Sequence, residues 1–157
     1  MPFVKAQSPV FRHYSTDQGL SSLETYHVFQ DSRGYIWIST TNGVTRFDGY
    51  TFQNFEEQDG LSDNVIFETI EDYKGRVWFV GYNCKLSYYE NGKIHPYKYN
   101  HIFEHLMDNR MVSVKSSFYI DRDDNVYISF SIRGLIRISA KGVLKKLTNS
   151  DSRFGIL

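Results

Sequence analysis

The chain has 157 residues, 41% hydrophobic and 23% charged, which is the composition of a globular protein long enough to bury a core. Its 18 basic and 18 acidic residues balance, and no Lys/Arg cluster indicates a nucleic-acid or anionic-membrane surface. The lone Cys84 excludes a disulfide framework within the chain, and no apolar run approaches the ~20 residues of a membrane helix.

Residues 1–9 are interpreted either as a disordered tail or as the stub of an export signal. Val4-Lys5-Ala6 has the small-residue spacing of a signal-peptidase site, but no long apolar segment precedes it. The rest of the chain, residues 10–157, is predicted to be a fragment of one larger domain.

A β-hairpin is predicted around Trp37. The interval from Asp31 to Gly34 predicts a turn, since an Asp side chain can accept backbone N–H groups and Gly tolerates positive φ. The following residues are β-branched and aromatic, as strands prefer. Asn42-Gly43 then predicts a type I′ turn, which requires positive φ at both residues.

This hairpin recurs 41 residues later. Gly19, Leu20, Ser21, Asp31, Gly34, Trp37 and Asn42 recur as Gly60, Leu61, Ser62, Asp72, Gly75, Trp78 and Asn83. A third, more divergent copy aligns Asp121 with Asp31, Tyr127 with Trp37 and Gly134 with Gly43. A repeat of about forty residues is typical of solenoids and propellers.

Each copy contains four short strand patterns. The predicted strands are 25–30, 35–40, 44–48 and 50–55; then 66–71, 76–81, 86–89 and 93–98; then 117–121, 125–130, 135–139 and 143–147. Four strands per repeat, with Gly and Asp turns and a Trp, are typical of a propeller blade.

The predicted fold is therefore all-β: a partial β-propeller of about three four-stranded antiparallel blades, at about 25–55, 66–98 and 117–147. Because residues 11–14 align with 52–55, they are predicted to be the last strand of a preceding blade. The spacer over 101–109 is predicted to be an exposed loop or one helical turn.

The stretches GLS…QDSRGYIWISTTNGVTRFDGYTF and GLSDNVIFETIEDYKGRVWF resemble the two-component regulator propeller repeats, closely over residues 10–99 and weakly over 117–148. The pattern is a GLS loop, a D-x-x-G-x-[IV]-W strand, an NG hairpin and a Y/F-D-G close. The copies depart from it at Cys84, Glu90, Asp124 and Tyr127. The resemblance implies a periplasmic sensor propeller of a bacterial histidine kinase or hybrid two-component protein. It also implies a small-molecule ligand such as a carbohydrate, and further blades and signalling domains in the same protein.

The repeat positions are interpreted as structural. Trp37 and Trp78 could stack on a sugar, but their recurrence inside two-sided apolar strands favours packing between blades. Asp31, Asp72 and Asp121 could be catalytic carboxylates, but each begins a turn and is interpreted as its cap.

Two motifs could hold a metal. Residues 121–125 resemble the start of a calcium loop but lack its Gly and Glu, and 101–105 match the inverted zincin pattern H-x-x-E-H without a third-ligand motif nearby. Neither is interpreted as a metal site, and no catalytic residue or cofactor is predicted. His13 and His27 are interpreted as surface or interface residues, and Cys84 as a packing residue in a turn.

The ligand candidates lie in the polar loops 17–24 and 59–64 and at outlying arginines. They are Ser21, Ser22, Ser62, Asp63, Asn64 and Arg46, with Arg137 in the third copy. The predicted function is a non-catalytic sensor without a nucleic-acid partner. A protein-interaction scaffold, which could be a homodimer, and a lyase-type enzyme using His13 and His27 remain alternatives.

Overall fold

The computed structural model describes residues 11–106, 113–130 and 134–147, which form three four-stranded antiparallel sheets. In each sheet, neighbouring strands follow one another in the chain. The first sheet contains β1 (Thr25–Gln30), β2 (Ile36–Thr40), β3 (Val44–Phe47) and β4 (Phe52–Phe55). The second contains β5 (Ile66–Glu71), β6 (Val77–Gly81), β7 (Leu86–Glu90) and β8 (Lys93–Pro96). The third contains β9 (Ser113–Ile120), β10 (Val126–Phe130), β11 (Gly134–Ile138) and β12 (Leu144–Lys146). The prediction of three propeller-type blades is confirmed.

The spacer between the second and third blades contains a short helix, α1 (Asn100–Leu106), which is longer than the single helical turn predicted. The prediction that the spacer is exposed is wrong at Phe103, which is buried in the core. Residues 107–109 lie outside the described residues, as does the tail at 1–9. Nowhere in the described parts of the chain does a helix have the length and apolar character needed to cross a membrane.

The structure contradicts the prediction of an N-terminal strand. Residues 11–14 form no strand, and no described strand pairs with them. A β-strand exists only through hydrogen bonds to a neighbour, so a strand-like sequence without one stays irregular. Tyr14 instead packs its ring against Phe47 and Phe52, at centroid distances of 5.2 and 5.3 Å.

The predicted type I′ turn at Asn42-Gly43 is also wrong. Gly43 has φ +80°, but Asn42 is not among the residues with positive φ. Both central residues have positive φ in the two-residue turn between β7 and β8, where Asn91 has φ +51° and Gly92 has φ +84°.

The hydrophobic core lies between the blades. One cluster joins the first two blades through Trp37, Val44, Phe55, Leu61, Ile66, Val77, Phe79, Tyr89 and Ile94. The other joins the second blade, α1 and the third blade through Trp78, Val80, Cys84, Leu86, Tyr97, Phe103, Phe118, Ile120, Val126, Ile128, Ile136 and Ile138. Because each sheet buries side chains against a neighbouring blade, the central strands carry apolar residues on both faces.

Candidate functional site

An aspartate caps the turn between the first two strands of every blade, and it is buried in the first two blades and partly buried in the third. Asp31 accepts hydrogen bonds from the backbone N–H groups of Arg33 and Tyr35, at 3.0 and 2.9 Å, and from the indole N–H of Trp37, at 2.9 Å. It is only 4% exposed. The carboxylate therefore accepts hydrogen bonds both from the backbone N–H groups of the turn and from the buried indole, which explains the D-x-x-G-x-[IV]-W spacing.

The other two blades repeat this cap. Asp72 accepts from the Trp78 indole at 2.8 Å, and Asp121 accepts from the Tyr127 hydroxyl at 3.0 Å. Burial would raise the pKa of Asp121, but hydrogen bonds from Asn125, Tyr127 and the backbone outweigh it and lower the pKa. All three aspartates accept hydrogen bonds from their own turn and from the aromatic side chain six residues further along the chain, as the turn-cap interpretation predicted.

The two tryptophans lie in the interfaces between blades. Trp37 is fully buried and contacts Phe79 and Tyr89 of the second blade, at centroid distances of 5.4 and 5.0 Å. Trp78 is 3% exposed and contacts Phe118 of the third blade at 6.0 Å. The packing interpretation is confirmed for both.

The candidates in the first loop contact the β2–β3 turn region. Ser21 bonds Thr40 through its hydroxyl at 3.0 Å and donates its backbone N–H to Thr45 at 3.1 Å. The hydroxyl of Ser22 bonds that of Thr41 at 2.8 Å. These contacts hold residues 19–24 against the first blade.

The candidates in the second loop also bond neighbouring strands and turns, through different partners. Ser62 donates to the carbonyl of Leu86 at 2.8 Å, and the carboxylate of Asp63 accepts from the backbone of Asn83 at 3.0 Å. The carbonyl of Asn64 accepts a 2.6 Å hydrogen bond from the β2–β3 turn of the first blade. The structure thus brings Ser21, Ser22 and Asn64 to one turn.

Arg46 lies apart from these loops, in the interface between the first two blades. Its guanidinium lies 4.4 Å from the ring centroid of Tyr35 and donates to the hydroxyl of Tyr89 at 2.7 Å and to Gln53 at 2.6 Å. In the third blade Arg137 has a buried Nε with no hydrogen-bond partner among the described residues.

The remaining candidates are dispersed. His13 is exposed, whereas the Nδ1 of His27 accepts from the backbone of Thr69 at 3.1 Å and so lies at a blade interface, as interpreted. His101 is exposed, Glu104 pairs with Lys85 at 3.3 Å, and the side chain of His105 lies outside the described residues. Among the described residues, no three His, Cys, Asp or Glu side chains lie together as a metal site would require.

An open cleft of about 220 Å³ lies between the second and third blades. Four aromatic side chains line it: Trp78, Tyr88, Tyr97 and Tyr99. At the equivalent point in the first interface, Tyr89 packs over Trp37. The register places Ile138 of the third blade at the position of Tyr89, so the third blade has no ring to place there.

Three charged side chains also line the cleft. They are Arg76, Lys98 and Asp124. Asp124 accepts hydrogen bonds from Arg76 at 2.5 Å and from Lys74. Burial would raise the pKa of Asp124, but these two cationic partners lower it. Lys98 contacts the carbonyl of Ala140 at 3.4 Å, and within residues 11–106, 113–130 and 134–147 it makes no ion pair.

The buried hydroxyl of Tyr97 has no hydrogen-bond partner in the described part of the chain. The residue is 7% exposed. Burial, and then the charges of Tyr99 and Asp124, raise the pKa of Tyr97, so the hydroxyl stays a proton donor. Sequence reasoning missed this cleft. The signal available was Tyr97-Lys98-Tyr99, which stands where the first copy has Phe55-Glu56-Glu57.

Comparison with known proteins bears on the repeat and the fold. Residues 19–42 match the family model of the two-component regulator propeller. Over 64 residues the chain is 31% identical to histidine kinase P4 of Formosa agariphila, an alignment that covers 40% of this chain and 5% of that protein. The resemblance to two-component regulator propeller repeats is confirmed.

Two solved structures share the fold, both extracellular domains of proteins assigned as hybrid two-component systems of B. thetaiotaomicron. One has a TM-score of 0.63 at 19% identity, covering 88% of this chain and 20% of its own. The other has a TM-score of 0.58 at 24% identity, covering 79% and 18%. The chain thus spans about a fifth or less of each relative.

Proposed function

We propose that this chain is part of the extracytoplasmic sensor propeller of a two-component signalling protein, a histidine kinase or a hybrid. The observation that carries the proposal is the regulator-propeller repeat at residues 19–42, within a fold similar to two extracellular domains. The local identity to a histidine kinase supports it. The kinase, the periplasmic location in an inner-membrane protein and the remaining blades are parts of this proposal.

The propeller acts in this proposal by binding rather than by catalysis. Three carboxylates are candidates for a general acid or base. Asp31 and Asp72 are each less than 10% exposed and accept backbone and indole N–H groups. Asp121 accepts from the backbone of Asn125 and from the hydroxyl of Tyr127. A general acid or base must reach a substrate proton. His13 and His27, the residues of the lyase alternative, lie on an exposed segment and in a blade interface.

The ligand in this proposal is a small molecule, for which a carbohydrate is the first candidate. The loop residues Ser21, Ser22, Ser62, Asp63 and Asn64, with Arg46, stay proposed contacts. Their side chains or backbones form hydrogen bonds to neighbouring turns and strands. In this proposal a ligand bound at these loops would act on the blades through those hydrogen bonds.

The test is isothermal titration of the intact extracytoplasmic domain against a panel of glycans, beside a reporter of the kinase response in cells. We expect at least one glycan both to bind the domain and to trigger the response. A domain that binds nothing while the kinase still responds would show that direct sensing is wrong. Sedimentation of the same sample tests the scaffold alternative, which predicts self-association or a protein partner and no small-molecule affinity.

A further inference from the structure

The imidazole ring of His27 accepts a hydrogen bond across the interface between the first two blades. The donor is the backbone N–H of Thr69 in β5, which lies 3.1 Å from the Nδ1 of the ring. β5 is an edge strand of its own sheet, and Thr69 is fully buried. A buried backbone N–H that finds no acceptor carries a desolvation cost. His27 therefore supplies the acceptor that the edge of the second blade needs at this point.

This hydrogen bond requires the neutral form of the ring. A backbone N–H can only donate, so the Nδ1 of His27 must carry a lone pair while the ring proton lies on Nε2. When the ring takes up a second proton, both nitrogens become donors and two N–H groups face each other. Histidine ordinarily changes its charge between about pH 8 and pH 5. Acid within this range removes the acceptor.

Other contacts across the same interface do not titrate. The hydroxyl of Thr69 bonds that of Ser39 at 2.7 Å, and the backbone N–H of Gly43 donates to the carbonyl of Asn64 at 2.6 Å. The apolar cluster that joins the first two blades is likewise uncharged. Protonation of His27 therefore weakens the contact between β1 and β5 without separating the two blades.

The described strands that pack closely against β1 are β2 and β5, and their charged groups bear on the ring. β2 has no titratable side chain, whereas β5 has Glu68 and Glu71, of which Glu71 accepts two hydrogen bonds across the interface at 2.7 Å. Glu68 is 7% exposed and has the repeat position in the second blade that His27 has in the first. On β1 itself, Tyr26 donates its hydroxyl to Glu24. A nearby carboxylate favours the protonated ring, but it does not restore the lost acceptor.

We infer that His27 makes the interface between the first two blades sensitive to pH. The neutral ring binds the backbone N–H of Thr69, and the protonated ring releases it, so that β5 opens more readily beside the first blade. This response goes beyond the proposed sensor function, because it needs no ligand: protons themselves alter the contact between two blades.

The experiment is NMR spectroscopy of the whole isotope-labelled chain between about pH 8 and pH 5. The ring signals of His27 report its protonation. Hydrogen exchange of the Thr69 amide, expressed relative to the unprotected rate at each pH, reports the hydrogen bond. We expect the protection of this amide to fall roughly three- to tenfold as the ring is protonated, the effect of one neutral hydrogen bond. The Tyr97 amide, which donates to Leu86 at 2.9 Å within the second blade, should keep its protection.

The variant His27→Asn assigns the effect to this ring. Its side-chain carbonyl oxygen takes the place of Nδ1 and can accept at every pH, so the Thr69 amide should keep the same protection throughout the titration. The matched control His13→Asn removes an exposed histidine and should titrate like wild type. The wild-type titration decides the question even where a variant does not fold.

The inference is overturned if the Thr69 amide keeps its protection while the His27 ring is protonated, or if the ring stays neutral down to about pH 5. It is also overturned if His27→Asn loses protection as wild type does. Equal losses at Thr69 and Tyr97 would mean that acid opens the whole chain, which contradicts a local change at this interface. Each of these results leaves the proposed function standing, since glycan binding is measured separately.

Discussion

Several turns of this protein contain a residue with positive φ. The reason that such a position requires glycine differs from one turn to another. Three residues after each capping aspartate, φ is positive: +91° at Gly34, +76° at Gly75 and +60° at Asp124. The third turn therefore tolerates a side chain in the left-handed region. Gly43 has a second requirement, since a Cβ there would lie 2.0 Å from the carbonyl oxygen of Phe55.

Alanine substitutions separate these two causes. Gly34→Ala adds a Cβ with nothing within 4 Å and should cost about 1 kcal/mol from backbone strain alone. Gly43→Ala introduces the same backbone strain and must also displace β4. We therefore expect its loss of stability to be at least ~2 kcal/mol greater than that of Gly34→Ala. Urea unfolding followed by tryptophan fluorescence measures both. Equal costs would mean that the β2–β3 turn can move away from Phe55.

Each of the two blade interfaces contains an arginine that makes contacts across it, but the two arginines lie at different positions in their blades. In the first interface Arg46 on β3 donates to Tyr89, and its Cζ lies 5.8 Å from the ring centroid of Trp37. In the second, Arg76 precedes β6 and lies 5.3 Å from the ring centroid of Trp78. It donates to Asp124 of the third blade. The interfaces thus preserve a contact type rather than a residue position.

The Asp124 contact predicts acid sensitivity of the second interface. Although burial opposes it, the partners Lys74 and Arg76 hold the pKa of Asp124 below its usual 3.8 in the folded protein. The carboxylate therefore contributes stability above about pH 4, and this contribution is lost as the pH falls through the folded-state pKa. Because the pair is partly exposed, the contribution should be no more than about 1 kcal/mol.

The variant Asp124→Asn measures this contribution, since Asn also tolerates positive φ. We expect it to be less stable than wild type at pH 7 and to approach wild type below about pH 4. The control is the neighbouring exposed Asp123→Asn, which should change the stability at pH 7 by less than about 0.5 kcal/mol. A constant difference between Asp124→Asn and wild type from pH 7 to pH 3 would contradict the assignment.

At the scale of the whole molecule, corresponding faces of the blades have different environments. Thr69 of the second blade is fully buried against the first blade, where its hydroxyl bonds Ser39 at 2.7 Å. Val28, which occupies the same repeat position in the first blade, is 62% exposed. The first blade therefore presents to solvent the face through which the second blade packs.

This difference predicts opposite responses to the same substitution. Thr69→Asp would bury a carboxylate between two blades and should cost several kcal/mol, roughly 3 or more. Val28→Asp in the same chain should change stability by less than about 0.5 kcal/mol, since an exposed site rarely costs more. Thermal unfolding followed by circular dichroism compares them. A large loss in Val28→Asp would mean that its face is covered in solution.

The sequence alone determined the repeat, the strand positions and the capping role of Asp31, because these depend on local turn chemistry and on alternation along single strands. It failed at Phe11–Tyr14, where a strand-like sequence lacks a neighbour in the described structure. Only the tertiary structure decided which side chains meet between blades. Arg46 and Tyr89 are 43 positions apart, and Tyr97 and Asp124 come from different blades. Such contacts depend on how neighbouring sheets pack, so no spacing within one copy could predict the cleft between the second and third blades.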